Sequence, residues 1–180
     1  MPRCKNCKEV FEQYEFNNKF CKKEECQVKK ALYNLDKIKK QTKKDWNNKK
    51  KKLKEDLKTV QELLKETQKV FNEYIRLRDE GLPCISCGND KPKKINAGHF
   101  YSSGGHKNVT FDEFNVHLQC EYCNTYLSGN LIEYRKGLIE RIGLTELQLL
   151  EARAHKERKF TREELREIKE IYKQKIKELK

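Results

Sequence analysis

Eight cysteines fall into two sets of four, and this pattern restricts the fold more than any other feature of the chain. Cys4, Cys7, Cys21 and Cys26 stand near the N-terminus, 57 residues without cysteine follow, and Cys84, Cys87, Cys120 and Cys123 complete the pattern. Tetrahedral Zn²⁺ takes four thiolates, and a Cys-x-x-Cys knuckle supplies two of them from one tight turn. Each set therefore provides one closed site for a structural Zn²⁺. The first, "CKNCKEVFEQYEFNNKFCKKEEC", has one such knuckle, a looser Cys-x4-Cys pair at Cys21 and Cys26, and Phe11, Tyr14, Phe16 and Phe20 between them. A module of about 30 residues is too small for a metal-free core, so zinc would contribute its folding free energy directly. It has no histidine to activate water, which points to binding or positioning.

Paired cysteines act as metal ligands in a reducing compartment and as disulfides in an oxidising one. "MPRCKNCKEV" has no apolar signal core, and no stretch approaches the roughly 18 apolar residues of a membrane span. We therefore expect an intracellular zinc protein rather than a secreted disulfide scaffold. Hydrophobic residues make up 36% of the 180, below the roughly 45–50% of ordinary globular domains. The core should be small and divided among modules.

From Gln27 to Glu80 there is neither proline nor glycine. Leu53, Leu57, Val60, Leu64, Thr67, Phe71 and Tyr74 recur at alternating spacings of four and three, which makes one helical stripe. The spacing predicts a helix or helical hairpin, about 80 Å long if unbroken, with "NNKKKK" at 47–52 as its weak point. Core packing within the chain and a dimer seam both satisfy the stripe. Eleven lysines face three acids between Lys37 and Lys58, a large part of the net charge of +13. A concentrated basic face suits a polyanion, because each neutralised phosphate releases counterions. Lys43, Lys44, Lys49, Lys50, Lys51, Lys52 and Lys54 are the candidate phosphate contacts; a solvated helix face is the alternative that charge alone leaves open.

"EGLPC", 80–84, ends this helix and opens "CISCGNDKPKKINAGHFYSSGGHKNVTFDEFNVHLQCEYCNTYLSGN". Its two knuckles are 32 residues apart, longer than the roughly 15 to 20 of a simple four-cysteine motif. The insert holds three of the four histidines and the turn "SSGG" between two extended stretches, which predicts a hairpin held at its base by zinc. The tail is helical: Thr145 with Gln148 and Thr161 with Glu164 have the spacing of capping boxes. Leu165, Ile168, Tyr172, Ile176 and Leu179 form one apolar stripe, expected to pack against the second zinc module.

A hairpin with His99 on its first strand, Asn115 before the second knuckle and Asn124 directly after it resembles the HNH, or ββα-metal, nucleases. The form with two Cys-x-x-Cys pairs and Asn after the last Cys is similar to phage endonucleases that resolve DNA junctions. More closely, "CISCG", "AGHFYS", "FNVHLQCEYCN", "LSGN" and "YRKGLIERIG" resemble the lambda NinG (Rap) family of phage recombination proteins. The resemblance implies an α+β, mainly α-helical chain. Residues 1–30 would be a structural zinc knuckle, 31–80 a lysine-rich helix or coiled coil, 81–142 an HNH-like zinc nuclease module and 143–180 C-terminal packing helices.

It further implies a structure-specific endonuclease that cuts D-loops and Holliday junctions in the bacterial cytoplasm. Branched DNA, phage recombination proteins and a second copy of the chain would be its partners, with no membrane involved. Phosphodiester hydrolysis needs a deprotonated water and a cation against the developing charge. On this resemblance His99 is the general base, Asn115 orients it or braces the loop, and Asn124 helps to hold a catalytic Mg²⁺ or Mn²⁺. One position departs from the pattern: many such sites carry Asp immediately before the base, and this chain has Gly98. His117 is then the candidate second metal ligand. The alternatives are a non-catalytic, zinc-dependent DNA-binding scaffold and, with less support, an RNA-binding zinc protein. For Asn124 alone, ordinary N-cap chemistry is the competing role. His106, Asp112 and His155 are expected at exposed or turn positions.

Overall fold

The computed structural model describes residues 1–13 and 15–180; Tyr14, one of the aromatics between the N-terminal cysteines, lies outside them. The chain divides into two compact units, Met1–Leu57 and Lys58–Lys180. No helix is long and apolar enough to cross a membrane.

In the first unit the chain reverses at the first knuckle, where Cys4 N–H donates to the Glu9 carbonyl (2.8 Å) and an isolated antiparallel bridge joins Arg3 to Val10. Cys4, Cys21 and Cys26 are buried with Phe20, and Phe11 and Tyr33 pack against them. Phe16, by contrast, is exposed. Helix α1 (Glu24–Asp56) then runs for 33 residues, about 50 Å at 1.5 Å per residue. Glu24 and Glu25 favour its start against the helix dipole. Cys26 lies in its first turn and is its one buried residue. The metal-binding quartet and the basic helix therefore share one element.

The helix does not weaken at residues 47–52. Asparagine and lysine are tolerated in a solvated helix, and an exposed face loses nothing when apolar spacing lapses. The break comes at Leu57–Thr59, where Thr59 and Glu62 form a complete capping box that opens α2 (Val60–Arg78). The predicted stripe is thus divided. Leu53 and Leu57 are exposed on the first unit, whereas Thr67, Phe71 and Tyr74 are buried in the second.

The second unit is built on an antiparallel hairpin, β1 (Ile95–His99) with β2 (Val116–Cys120), in the register Ile95↔Cys120 to His99↔Val116. Both stretches are the predicted ones, and every residue of β2 is buried. Ala97 and Val116 join Phe71, Tyr74 and Ile75 of α2 and Tyr172 and Ile176 of α4 (Arg162–Glu178) in one apolar cluster. On the other face lies α3 (Leu131–Ala154), kinked at Gly143, two residues before the expected helix start at Thr145. Tyr134, Leu138, Leu147 and Leu150 of α3 form a second cluster with Ile85 and Val109. At Gly137 a Cβ would collide with the Ile85 carbonyl, so this helix sits directly on the backbone of the Cys84/Cys87 knuckle. The Thr161–Glu164 capping box forms as its spacing predicts. The α4 stripe buries Leu165, Tyr172 and Ile176 against α2 and the hairpin loop, with Leu179 left exposed.

Candidate active site

The two cysteine quartets assemble as the sequence predicts. Within Cys4/Cys7/Cys21/Cys26 and within Cys84/Cys87/Cys120/Cys123 the sulfurs all lie within 4.8 Å of one another. Cys7 and Cys21 Sγ are 3.7 Å apart, and Cys87 and Cys120 Sγ are 3.8 Å apart. Four thiolates at the Zn–S distance of about 2.3 Å stand about 3.8 Å from one another in a tetrahedron, so both donor sets fit Zn²⁺. The backbone favours the thiolates as well: Cys21 N–H donates to Cys4 Sγ, Cys120 N–H to Cys84 Sγ and Cys123 N–H to Cys120 Sγ, at 3.3, 3.3 and 3.4 Å. Burial pushes the Cys4 thiol up, yet N–H groups of Cys21, Cys7 and Asn6 outweigh it and bring it down to about 6. The same balance brings Cys84 to about 7. Two side-chain amides also face the sulfurs: Asn6 Nδ2 lies 3.4 Å from Cys26 Sγ and Asn130 Nδ2 lies 3.6 Å from Cys123 Sγ.

The second quartet closes the Ile95↔Cys120 end of the hairpin, and His99 stands at the other end, opposite Val116. His99 is half-buried, with Nε2 3.2 Å from the Thr110 carbonyl. A carbonyl only accepts, so this contact favours the tautomer with the proton on Nε2. Burial lowers the His99 pKa against the opposing carbonyls of Thr110 and Ala97, so the neutral ring is favoured.

Asn115 is fully buried and braces the loop rather than the imidazole. Its Nδ2 donates to the carbonyls of Tyr101 and Val109 at 3.0 and 2.9 Å, and its Oδ1 accepts from Tyr101 N–H at 2.8 Å. These bonds hold Tyr101 and Val109 together, and Val109 immediately precedes Thr110, the anchor of His99. Asn124 lies in a one-turn π-helix, Tyr122–Tyr126, half-buried. It is not the cap of the following helix. That position belongs to Asn130, in left-handed conformation with φ 45°, so capping does not account for Asn124. No hydrogen bond joins Asn124 to His99 among the described residues.

His117, the candidate second metal ligand, is placed among protein groups at both ring nitrogens. His117 is buried, its Nε2 lies 3.2 Å from the Phe114 carbonyl, and its Nδ1 is 3.1 Å from Arg78 Nη2. Both ring nitrogens thus face protein partners, with Asp79 Oδ2 also 3.7 Å from Nδ1. Burial is the main cause of its lowered pKa; the Arg78 guanidinium adds to it and the Asp79 carboxylate opposes it. Asp79 is itself buried and held below the usual carboxylate range: burial opposes ionisation, but His117, Arg78 and the Leu118 N–H (2.8 Å) outweigh it. Asp112 pairs with Arg153 at 3.0 Å. His106 has Nδ1 3.1 Å from the Ala154 carbonyl, and His155 is exposed at the end of α3.

Gly98 has a structural cause. A Cβ at this position would collide with Oε1 of Gln119, which is fully buried and donates through Nε2 to Ser86 Oγ (2.7 Å) and the Gly129 carbonyl (2.6 Å). Tyr134 Oη donates to the Gly98 carbonyl at 2.7 Å and accepts from His117 N–H at 3.1 Å, bridging both strands. The place of a metal-binding carboxylate is thus filled by an amide. Among the described residues, groups of three or more His, Cys, Asp or Glu able to hold an ion are the two cysteine quartets. Gln119 and Tyr134 carry no motif signal; only the alternation of β2, which places Gln119 on the face of Gly98, bore on them.

The family model described as "Bacteriophage Lambda NinG protein" matches residues 1–180. The chain is similar to "Protein ninG" of Salmonella phage P22, 38% identical over 191 residues that cover 99% of this chain and 93% of the relative. It is similar to "Protein ninG" of Escherichia phage lambda at 36% over the same shares. With "Protein ninG" of Escherichia phage 933W it is 44% identical over 109 residues, 61% of this chain and 54% of that protein. No solved structure matches. The match along the whole chain, with both quartets intact, shows that it belongs to the bacteriophage lambda NinG protein family.

Proposed function

We propose that the chain is a structure-specific DNA endonuclease that hydrolyses phosphodiester bonds in branched DNA, D-loops and Holliday junctions, during phage recombination. The observation that carries this reading is His99: a half-buried, neutral-favoured imidazole held against the Thr110 carbonyl, at the loop end of a hairpin whose other end carries the second cysteine quartet. Its Nδ1 takes a proton from water as the water attacks phosphorus in line with the leaving oxygen, a contribution of about 10²–10⁴ in rate. Asn115 keeps the loop in place, and the basic face of α1 holds the DNA backbone without reading sequence. Mg²⁺ or Mn²⁺, arriving on the phosphates with Asn124 as the neutral oxygen donor of the chain, would supply charge neutralisation. Two such sites in a dimer would permit paired cuts.

The filled position at Gly98 favours a second reading, a DNA-binding scaffold without catalysis. Both predict salt-sensitive DNA affinity. The test is incubation of the zinc-loaded protein with labelled four-way junction, D-loop and linear duplex in Mg²⁺ or Mn²⁺, beside folded His99→Ala. Cleavage of branched substrates by the wild type, reduced at least a hundredfold in His99→Ala, is expected. Binding without cutting in either metal would leave the scaffold.

A further inference from the structure

A cavity of about 510 Å³ opens where the hairpin loop, the end of α3 and α4 meet. Phe111, Phe160, Ile168, Ile171 and Tyr172 give it an apolar, largely aromatic wall. The rings of Phe111 and Phe160 are 5.3 Å apart at 63°. Its two arginines are already neutralised: Arg153 lies 3.0 Å from Asp112, and Arg158 lies 3.6 Å from Glu164 with its guanidinium 4.6 Å from the Phe160 ring centroid. Such a cavity suits a flat, neutral ring better than a free anion.

A second cavity, of about 410 Å³, lies alongside and shares Arg158. Lys107, Lys156 and Lys159 line it, all three exposed and none in an ion pair among the described residues, and outnumber the one acid of its lining, Glu157. A flat neutral ring beside unpaired cations matches the two halves of a nucleotide. Phe111 also follows Thr110, whose carbonyl anchors His99, so the wall of the cavity and the mount of the base are neighbours in the chain.

We propose that this cavity receives an unpaired nucleobase, with the flanking phosphates on Lys107, Lys156 and Lys159. The inference rests on the DNA reading above and adds how branching is recognised. Bases inside a duplex are stacked on both sides and paired; a base at a branch point has lost a stacking neighbour, and a single-stranded one its partner too, so either leaves the stack at lower cost. Stacking on aromatic side chains accepts any base, so the cavity would read structure and not sequence.

The test uses full-length, zinc-loaded protein in Ca²⁺, with a four-way junction carrying 2-aminopurine at the branch and a duplex carrying it centrally. Wild type should bind the junction more tightly and change its fluorescence. Phe160→Ala should lose about 5- to 100-fold on the junction, the span of one stacked base, and keep its duplex affinity; Phe160→Tyr should restore the preference. Because Phe160→Ala could loosen the fold, Ile171→Glu, at an exposed wall position, gives the same prediction independently. Replacing the three lysines by glutamine should weaken both DNAs and flatten the salt dependence by about 0.9 for each phosphate no longer neutralised. Unchanged junction preference in both cavity variants would overturn the proposal, as would wild-type junction binding with no fluorescence change. Sedimentation that shows a dimer lost in Phe160→Ala, with base binding intact, would make a second copy the occupant and overturn it too. A 2-aminopurine response without cleavage in Mg²⁺ or Mn²⁺ would remove the nuclease reading alone; wild type that binds no DNA would remove both.

Discussion

The two units of the chain each carry a four-cysteine site but are held together in different ways. Among the described residues of Met1–Leu57 the core is the quartet and a few aromatics, and the 33-residue α1 buries Cys26 alone. In Lys58–Lys180 the second quartet closes one end of a hairpin whose strands contribute to one apolar cluster, with a second cluster built on α3 beside it. The same ligand set thus makes one fold possible and reinforces another. The difference teaches that a zinc motif reveals where the chain is tied together, while the amount of stability resting on the tie depends on the apolar area around it.

The largest expected effect follows directly. Structural zinc contributes about 10–16 kcal/mol in small metal-dependent modules, so Cys4→Ser should unfold residues 1 to about 33 outright. Hydrogen exchange read by mass spectrometry should show full loss of protection there and none in α2, α4 or β2. Cys84→Ser should lower the second unit's midpoint yet leave the α2/α4 cluster protected. Equal collapse in both variants would erase the distinction.

The next effect probes the apolar unit at its tightest point. Gly98→Asp forces a side chain into the space of Gln119 Oε1 and should cost about 3 kcal/mol or more, as overpacking does when neighbours cannot move. Gln119→Ala removes the hydrogen bonds to Ser86 and Gly129 and should cost about 2 kcal/mol. The double variant should recover about 1–3 kcal/mol relative to the sum, measured by denaturant unfolding. Additivity would mean that the glycine answers to something other than Gln119.

These two effects also mark what the sequence could and could not reveal. Both quartets, the hairpin strands, the α4 stripe and the Thr161 cap were legible because each rests on a local spacing that chemistry makes nearly compulsory. The break at Thr59 was equally local, in "TVQE", but was masked by an apolar stripe that runs across it in register. The role of Asn115 as a loop brace was open, since spacing places the residue but not its partners. His117 and Gln119 were beyond reach. Their roles depend on Arg78, Asp79, Tyr134 and Ser86, all supplied by other elements, and strand alternation gives only the face on which they lie.

A smaller effect separates the units by pH. His99 and His117 are both in the second unit, and burial lowers both pKa values. A histidine held neutral in the fold contributes stability above the unfolded value of about 6.5, lost as pH falls below it. The first unit contains no histidine. At saturating zinc, therefore, protection in the second unit should decline between pH 7 and 5 beyond the decline that thiolate protonation causes in both. His117→Gln should remove part of that excess. Parallel declines in the two units would refute the assignment of neutral, buried rings.

The smallest effect on folding should come with the clearest change in binding. Lys49, Lys50, Lys51 and Lys52 are exposed on α1 and touch no core, so replacing all four by glutamine should shift stability by no more than about 0.5 kcal/mol. If α1 lies on DNA, the logarithm of affinity should then fall less steeply with salt, by about 0.9 for each phosphate that the helix ceases to neutralise, with no change in preference among sequences. An unchanged slope would take α1 out of the interface. The zinc of the first unit would then be holding a solvated rod in place for something other than phosphate. A lowered stability would instead mean that the helix has a partner face, and the division between a metal-tied arm and an apolar body would have to be redrawn at α1.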